Sequence, residues 1–419
     1  MRLLYTLLLY VLSPLLLARL WWRGRLAPEY RRRWDERLGF YWRARLEGCV
    51  WIHAVSVGEA LAAAPMIREL LARYPHTRLL ITTTTPTGSA QVRKLFGDQV
   101  EHVYCPWDLP DVLARFFRVF NPRLILIMET ELWPNLLAAA RVRRVATVLV
   151  NGRLSEKSWA SYRRVAALSR PMLASLTRLL VQTEVERERY IDLGAQPERV
   201  VTTGSIKFDI ALDDELKQRA SELRQNMGGR PAWLAASTHP GEDELVLSAH
   251  KRVLEQHPEA LLVLVPRHPE RFDQVAGLVK GQGLSLARRA AGNQPDMQTQ
   301  VYLADTMGEL LMLFGACDLA FVGGSLVPVG GHNLLEPAAW ARPVLSGSYL
   351  HNFERVAELL DDAQALIRVD ADSLAGEVNA LLADPAARTV RGEAAARVVA
   401  QHRGALARVL NELTELWPV

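Results

Sequence analysis

Short apolar runs recur along most of this chain, and their spacing limits its possible folds more than any other feature. Residues 50–55, 79–84, 124–128, 146–150 and 179–182 form one series; residues 233–236, 261–265, 301–303, 319–322 and 344–345 form a second. Each is of strand length, and most are followed by amphipathic sequence of helical period. A parallel sheet covered by helices on both faces leaves this trace, so the expected fold class is α/β with two doubly wound domains. Between the series lies a polar, helix-prone connection over residues 210–229, closed by Gly228-Gly229-Arg230-Pro231. The 419 residues fit two to three domains of about 150 residues each. With 49% hydrophobic and 23% charged residues, the chain can bury large cores. Three regions are therefore expected: 1–22, 23–210 and 211–419.

The first region is unlike the rest. From Leu3 to Trp22 the only interruptions to apolar sequence are Thr6, Ser13, Pro14 and Arg19. About 20 such residues reach across a hydrocarbon core. Trp21 and Trp22 suit a membrane interface, and Arg23, Arg25, Arg31, Arg32 and Arg33 follow them. Arginines on that flank favour a cytoplasmic location for everything downstream. Pro14 can kink the segment and Arg19 can reach the headgroups, so crossing the membrane and lying in its surface both stay open. No small-x-small cleavage site precedes the arginines. Net charge is only +4, which makes the basic cluster local. It adjoins an apolar anchor and no recognisable nucleic-acid module, so nucleic acid is not the expected partner. Cys49, Cys105 and Cys317 lie in or beside apolar runs without a CxxC or Cys/His cluster. That pattern excludes a disulfide framework and a structural zinc site.

In open α/β domains ligands bind beyond the carboxyl ends of the strands, and the pointed motifs sit there. His53-Ala54-Val55-Ser56-Val57-Gly58-Glu59 follows the first run, with helical sequence from Ala60. Glu59 reads either as a cleft-facing functional acid or as a residue that only complements the helix dipole, worth ~0.3–1 kcal/mol. Glu129-Thr130-Glu131-Leu132-Trp133-Pro134 places two acids and a proline after residues 124–128. Lys207 lies in Thr203-Gly204-Ser205-Ile206-Lys207 at the domain junction. In the second half, Pro266-Arg267 puts a fixed cation at a strand end, suited to phosphate or carboxylate. His239, His268 and His332 each adjoin Pro or Gly in a turn, and metal binding competes there with capping or direct ligand contact. The glycine-rich turn with Gly323-Gly324-Ser325 and Gly330-Gly331, followed by Glu336, reads as a nucleotide-sugar turn or as an ordinary strand–turn–helix.

Ten motifs in order, HAVSVGE, TTTTPTGS, PWDLPD, METELWPN, NGRLS, TGSIKFD, STHPGE, PRHPERF, DTMGEL and FVGGSLVPVGGHNLLEPAAWARPVL, resemble the 3-deoxy-D-manno-octulosonic acid (Kdo) transferases. The resemblance covers nearly the whole chain, including the apolar start. It implies a GT-B architecture of two Rossmann-like domains, the first binding the acceptor and the second the nucleotide sugar. It implies transfer of Kdo from CMP-Kdo to lipid IVA, the tetra-acylated, bis-phosphorylated lipid A precursor, at the cytoplasmic face of the inner membrane. Carried over residue by residue, it makes Glu59 the proton acceptor and Glu131 and Lys207 stabilisers of the transition state. It assigns Pro266, Arg267, Met307, Gly308, Glu309, Asn333, Leu334, Leu335 and Glu336 to CMP. Leu334 stands where proline is common in the family.

The chemistry agrees with those roles. An acceptor hydroxyl needs a base as the new bond forms. The leaving phosphate needs preorganised cations or N–H groups, for which Arg267, Lys207 and the Gly330-Gly331 turn are candidates. The paired acids Asp213-Asp214, in the connection, and Asp361-Asp362, near a helix end, do not form the Asp-x-Asp pair through which many nucleotide-sugar enzymes hold a metal, and transfer is expected to be metal-independent, inverting and free of cofactors. The basic stretch from Arg23 to Arg45 suits lipid phosphates at about 1 kcal/mol per residue near the surface, or serves only as a topology signal. Another GT-B nucleotide-sugar enzyme and a non-catalytic, membrane-attached lipid-A-binding protein are the alternatives.

Overall fold

The computed structural model describes residues 1–25, 27–42 and 45–417; Arg43, within the basic stretch, lies outside them. The chain divides into two compact units, Met1–Asp209 with Arg403–Val419, and Ile210–His402.

The first unit holds a seven-stranded sheet of β1 (Val50–His53), β2 (Leu79–Thr83), β3 (Glu101–Tyr104), β4 (Leu124–Met128), β5 (Ala146–Gly152), β6 (Arg178–Val181) and β7 (Val200–Thr202). All pairings are parallel, in the order β3-β2-β1-β4-β5-β6-β7. Strands β1, β2 and β4 are buried throughout, as helices on both faces demand. The strand order reverses between β1 and β4, so the loops leaving those two strands diverge and open a crevice.

The second unit repeats the plan with β8 (Ala232–Thr238), β9 (Leu261–Pro266), β10 (Leu286–Arg288), β11 (Val301–Leu303), β12 (Leu319–Val322), β13 (Val344–Ser346) and β14 (Leu366–Arg368). The order is β10-β11-β9-β8-β12-β13-β14, again all parallel, with its reversal between β8 and β12.

One boundary differs from expectation. The polar stretch over 210–229 is helical, as its sequence predicts, and belongs to the second unit. Asp213 caps a helix, Asp214–Asn226, by accepting the Leu216 amide at 2.8 Å, and Ala220 and Leu223 are buried in the second unit's core. The region expected over 211–419 ends at His402, because the last helix, Ala405–Thr414, returns to the first unit. Its Val409, Leu410 and Leu413, with Trp417, share one core with Ile52, Met66 and Leu126. The Trp417 ring stacks on Tyr74, with centroids 4.3 Å apart. The Asp209 carboxylate accepts the amides of Gly404 and Leu406, both at 2.6 Å, and so ties the crossing point to the start of that helix. Asp209→Ala removes this cap and is expected to cost about 0.5–2 kcal/mol. The loss should show as a lower denaturant midpoint of the first unit; an unmoved midpoint would show that apolar packing alone holds the helix.

The basic stretch is partly internal. Arg37 is buried, its guanidinium 4.0 Å from the Tyr104 ring centroid. Arg33 pairs with Glu36 at 2.7 Å and donates to Ser89. Those two arginines are engaged by Glu36, Ser89 and Tyr104 within the first unit, not left for headgroups.

Candidate active site

At the reversal point of the first sheet, Ser56 ends the β1 loop and caps the helix Val57–Arg73. The serine and Glu59 form a reciprocal pair. Ser56 Oγ accepts the Glu59 amide at 3.2 Å and donates its hydroxyl to Glu59 Oε1 at 2.9 Å, while Glu59 Oε2 accepts the Val55 amide at 2.8 Å. The capping reading of Glu59 is thus realised in the geometry. It does not exhaust the residue, because the carboxyl is far from an ordinary capping acid. Burial raises its pKa to about 7 against the two hydrogen bonds that lower it, and the charges of Glu131 and Glu129 push the same way. Desolvation thus outweighs the support that a helix N-terminus lends the ionised form.

The β4 loop supplies the other acids. Glu131 Oε2 accepts the indole N–H of Trp133 at 3.0 Å, and its pKa is raised by burial, with a further contribution from Glu129. Beside Trp133 lies His53, its ring centroid 4.8 Å away edge-on; burial lowers its pKa to about 3, which favours the neutral ring, and its Nδ1 lies 3.1 Å from Thr82 Oγ1. Lys207 does not pair with Glu131. Its ammonium lies 2.9 Å from Glu129 Oε1. Glu129 adopts a left-handed backbone, φ 54°, as does Asn151, φ 55°, whose side-chain oxygen accepts the Ile206 amide beside Lys207. Such conformations are costly for residues with a Cβ and gather at functional sites. Glu129 and Asn151 were missed as site residues. The doubled acid of Glu129 and Glu131 was the available signal for the first; the sequence carries none for the second.

In the second unit, loops after β8, β9 and β12 bring Arg267, His239, His268, His332, Asn333 and Glu336 together. His239 and His332 lie ring to ring with Nε2 atoms 2.8 Å apart, so one donates and the other accepts. The His268 ring centroid is 5.2 Å from that of His239. His332 is held down to about 3, first by burial and then by Arg267 and the two neighbouring histidines. No group of three His, Cys, Asp or Glu residues is arranged to hold a metal ion among the described residues. Glu336 is partly buried; desolvation of its carboxyl raises its pKa, while the Asn333 amide (3.0 Å) and the charge of Arg267 lower it. Among the described residues no side-chain hydrogen bond or ion pair engages the Arg267 guanidinium, which leaves it available to an anion. Leu334 and Leu335 have fully buried side chains, so any ligand contact there is made by backbone.

Two expected contacts are otherwise engaged. The amides of Gly330 and Gly331 both donate to the Gly324 carbonyl, at 3.1 and 2.7 Å, and are not open to a phosphate. The Glu309 carboxylate is gripped by Arg289 at 2.6 and 2.7 Å, which holds its pKa at about 2. Met307 is exposed beside it and Gly308 takes φ 91°. The residue that organises the glycine-rich turn is Glu242, absent from the sequence-derived set. Its buried carboxylate accepts four amides: His239 and Gly324 on Oε2 (3.0 and 2.6 Å), Ser325 and Leu326 on Oε1 (both 2.9 Å). Glu242→Gln keeps the second pair but turns an N–H₂ towards the first. The expected loss is about 2–6 kcal/mol, from two orphaned buried donors at about 1–3 kcal/mol each, read as a lower unfolding midpoint. Unchanged stability would show that the turn is held by other contacts.

A family model described as 3-deoxy-D-manno-octulosonic-acid transferase (kdotransferase) matches residues 32–210. The chain is 43% identical over 418 residues to the 3-deoxy-D-manno-octulosonic acid transferase of Haemophilus influenzae, covering 98% of each. It is 39% identical over 431 residues to the enzyme of the same name from Bordetella pertussis, again covering 98% of each. Among solved structures, the UDP co-structure of S. aureus MnaA superposes with a TM-score of 0.57 at 15% identity, covering 88% of this chain and 96% of that one. That likeness places the two units in the GT-B fold.

Proposed function

The chain belongs to the 3-deoxy-D-manno-octulosonic acid transferase family, and from that premise we propose that it transfers Kdo from CMP-Kdo to lipid IVA with inversion. It is a glycosyltransferase of lipopolysaccharide biosynthesis. In the reading proposed here, the first unit binds the acceptor and the second the donor, at the cytoplasmic face of the inner membrane, with the helix Arg2–Arg23 as anchor.

Glu59 takes the proton of the attacking hydroxyl. The hydroxyl oxygen bonds to the anomeric carbon of Kdo on the face opposite CMP, the bond from that carbon to the phosphate oxygen breaks, and CMP departs with the electron pair. One displacement inverts the anomeric centre. Arg267 meets the negative charge that grows on the phosphate, where a preorganised cation lowers the barrier most. Lys207 and Glu131 act beside Glu59, with Glu129 holding the lysine in place. The observation that carries the reading is the Glu59 carboxyl, half-buried at the reversal point of its sheet with a pKa near 7. A base poised close to the working pH gives the best compromise between being ionised and being strong enough to take the proton.

The test is mass spectrometry of the product made by purified protein from CMP-Kdo and lipid IVA, with and without a chelator. The expected product is lipid IVA extended by Kdo at equal rates in both. Transfer from a UDP-sugar, or no transfer at all, would sink the assignment of donor or of catalysis; loss of activity with chelator would sink the metal-free route.

A further inference from the structure

We infer that the helix Arg2–Arg23 does not cross the bilayer: it lies in the membrane surface, one face seated on the first unit and the other on a lipid monolayer. Its 22 residues are about 33 Å long, enough to span, so length does not decide the matter. The contacts do. Tyr5 donates its hydroxyl to Asp108 at 3.0 Å, Thr6 donates to Asn135 at 3.1 Å and Tyr10 donates to Asp111 at 2.5 Å. Leu9 and Leu16 face Trp107, Leu109 and Trp133 across a small apolar cavity. The half-buried positions, Tyr5, Thr6, Leu9, Ser13, Leu17 and Leu20, follow one stripe of the helix. From Tyr5 to Leu16, therefore, one face of the helix meets the unit. The opposite face carries Leu4, Leu7, Leu8, Val11 and Leu15, each more than half exposed.

Crossing is incompatible with that seat. Tyr5 to Tyr10 lie roughly 20–27 Å along the helix from Arg23. In a spanning helix with Arg23 at one headgroup layer they would sit deep in hydrocarbon or near the far side. Asp108, Asp111 and Asn135 would have to follow them there. Asp108 cannot leave its own unit, because its carboxylate also accepts the amides of Asn135 and Leu136 at the start of the helix Pro134–Val142. Acidic groups inside the bilayer cost several kcal/mol even on the mildest scales. Lying flat satisfies every contact and presents a continuous leucine face to lipid. Trp21, with Arg25 and Arg31 over its ring at 4.9 Å each, then fits the headgroup layer.

The proposal rests on the membrane attachment argued above and fixes its geometry. It is tested in the full-length chain with Arg2→Cys, using a membrane-impermeant maleimide on vesicles prepared in both orientations. The native Cys49, Cys105 and Cys317 are buried and remain silent. Lys157→Cys, on an exposed helix of the first unit, marks the side of the catalytic domains. The expected result is labelling of both variants from the same face. Labelling of Arg2→Cys only from the opposite face would overturn the in-plane seat. Should Arg2→Cys label from neither face, protease removal of an N-terminal epitope tag decides by the same criterion. Release of the wild-type chain by alkaline carbonate would instead refute the anchoring itself.

Discussion

Glu59→Gln is expected to lower the rate of Kdo transfer by ~10²–10⁴-fold while leaving the fold and the binding of CMP nearly intact. The amide matches the carboxyl in size, and its oxygen can still accept the Val55 amide or the Ser56 hydroxyl, so most of the reciprocal cap at the start of the helix survives. It cannot take a proton. If capping were the whole role of Glu59, the variant would lose at most ~1 kcal/mol of stability and keep its turnover. The pH dependence adds a second reading of the same residue. Because burial raises the folded pKa to about 7, the ionised base is lost as pH falls through that value, and the wild-type rate should rise with pH up to a plateau above it. Removing one neighbouring negative charge with Glu131→Gln should move that inflection to lower pH. Near-normal transfer by the Glu59→Gln enzyme, or a wild-type rate flat across the range around that inflection, would reassign the base, with Glu131 first in line.

Arg267→Ala should cost about 2–3 kcal/mol, the worth of a hydrogen bond to a charged group. That is on the order of a 30- to 150-fold fall in kcat/KM for CMP-Kdo. The effect should fall on the donor: its guanidinium is unengaged among the described residues and lies close enough to Glu336 and His332 to bias both their pKa values. Arg267→Lys keeps the charge and loses the planar fork, so partial recovery is expected. Equal losses for donor and acceptor, or none, would mark Arg267 as a surface cation.

The legible part of the fold was its interior. Every apolar run named from the sequence became an inner strand, and the four strands not among those runs, β3, β7, β10 and β14, are the outermost ones of the two sheets. Glu101 and His102 in β3, Thr202 in β7 and Arg368 in β14 show why. An edge strand has one neighbour and an open flank, so it needs no continuous apolar run to be stable. The acids and the cation of the site were legible as residues because they follow strands. Their partners were not. Lys207 meets Glu129 through a turn that Asn151 secures from another strand end, and no spacing in the chain announces that meeting. Glu242 looked like one of three acids in an ordinary first helical turn, Glu242-Asp243-Glu244. Only the fold shows that its side chain bends back into the amides of the glycine-rich turn, and that Gly330 and Gly331 are already engaged within it.

The return of the last helix to the first unit orders the events of synthesis. When residue 209 leaves the ribosome, the strands of the first unit have all been made but the core around Ile52, Met66 and Leu126 lacks part of its cover. That part stays uncovered while the whole second unit is made, because Val409, Leu410, Leu413 and Trp417 follow it in the chain. Domains commonly fold in the order they emerge. Here the first unit to emerge is finished only after the second, when the helix Ala405–Thr414 arrives to complete its core.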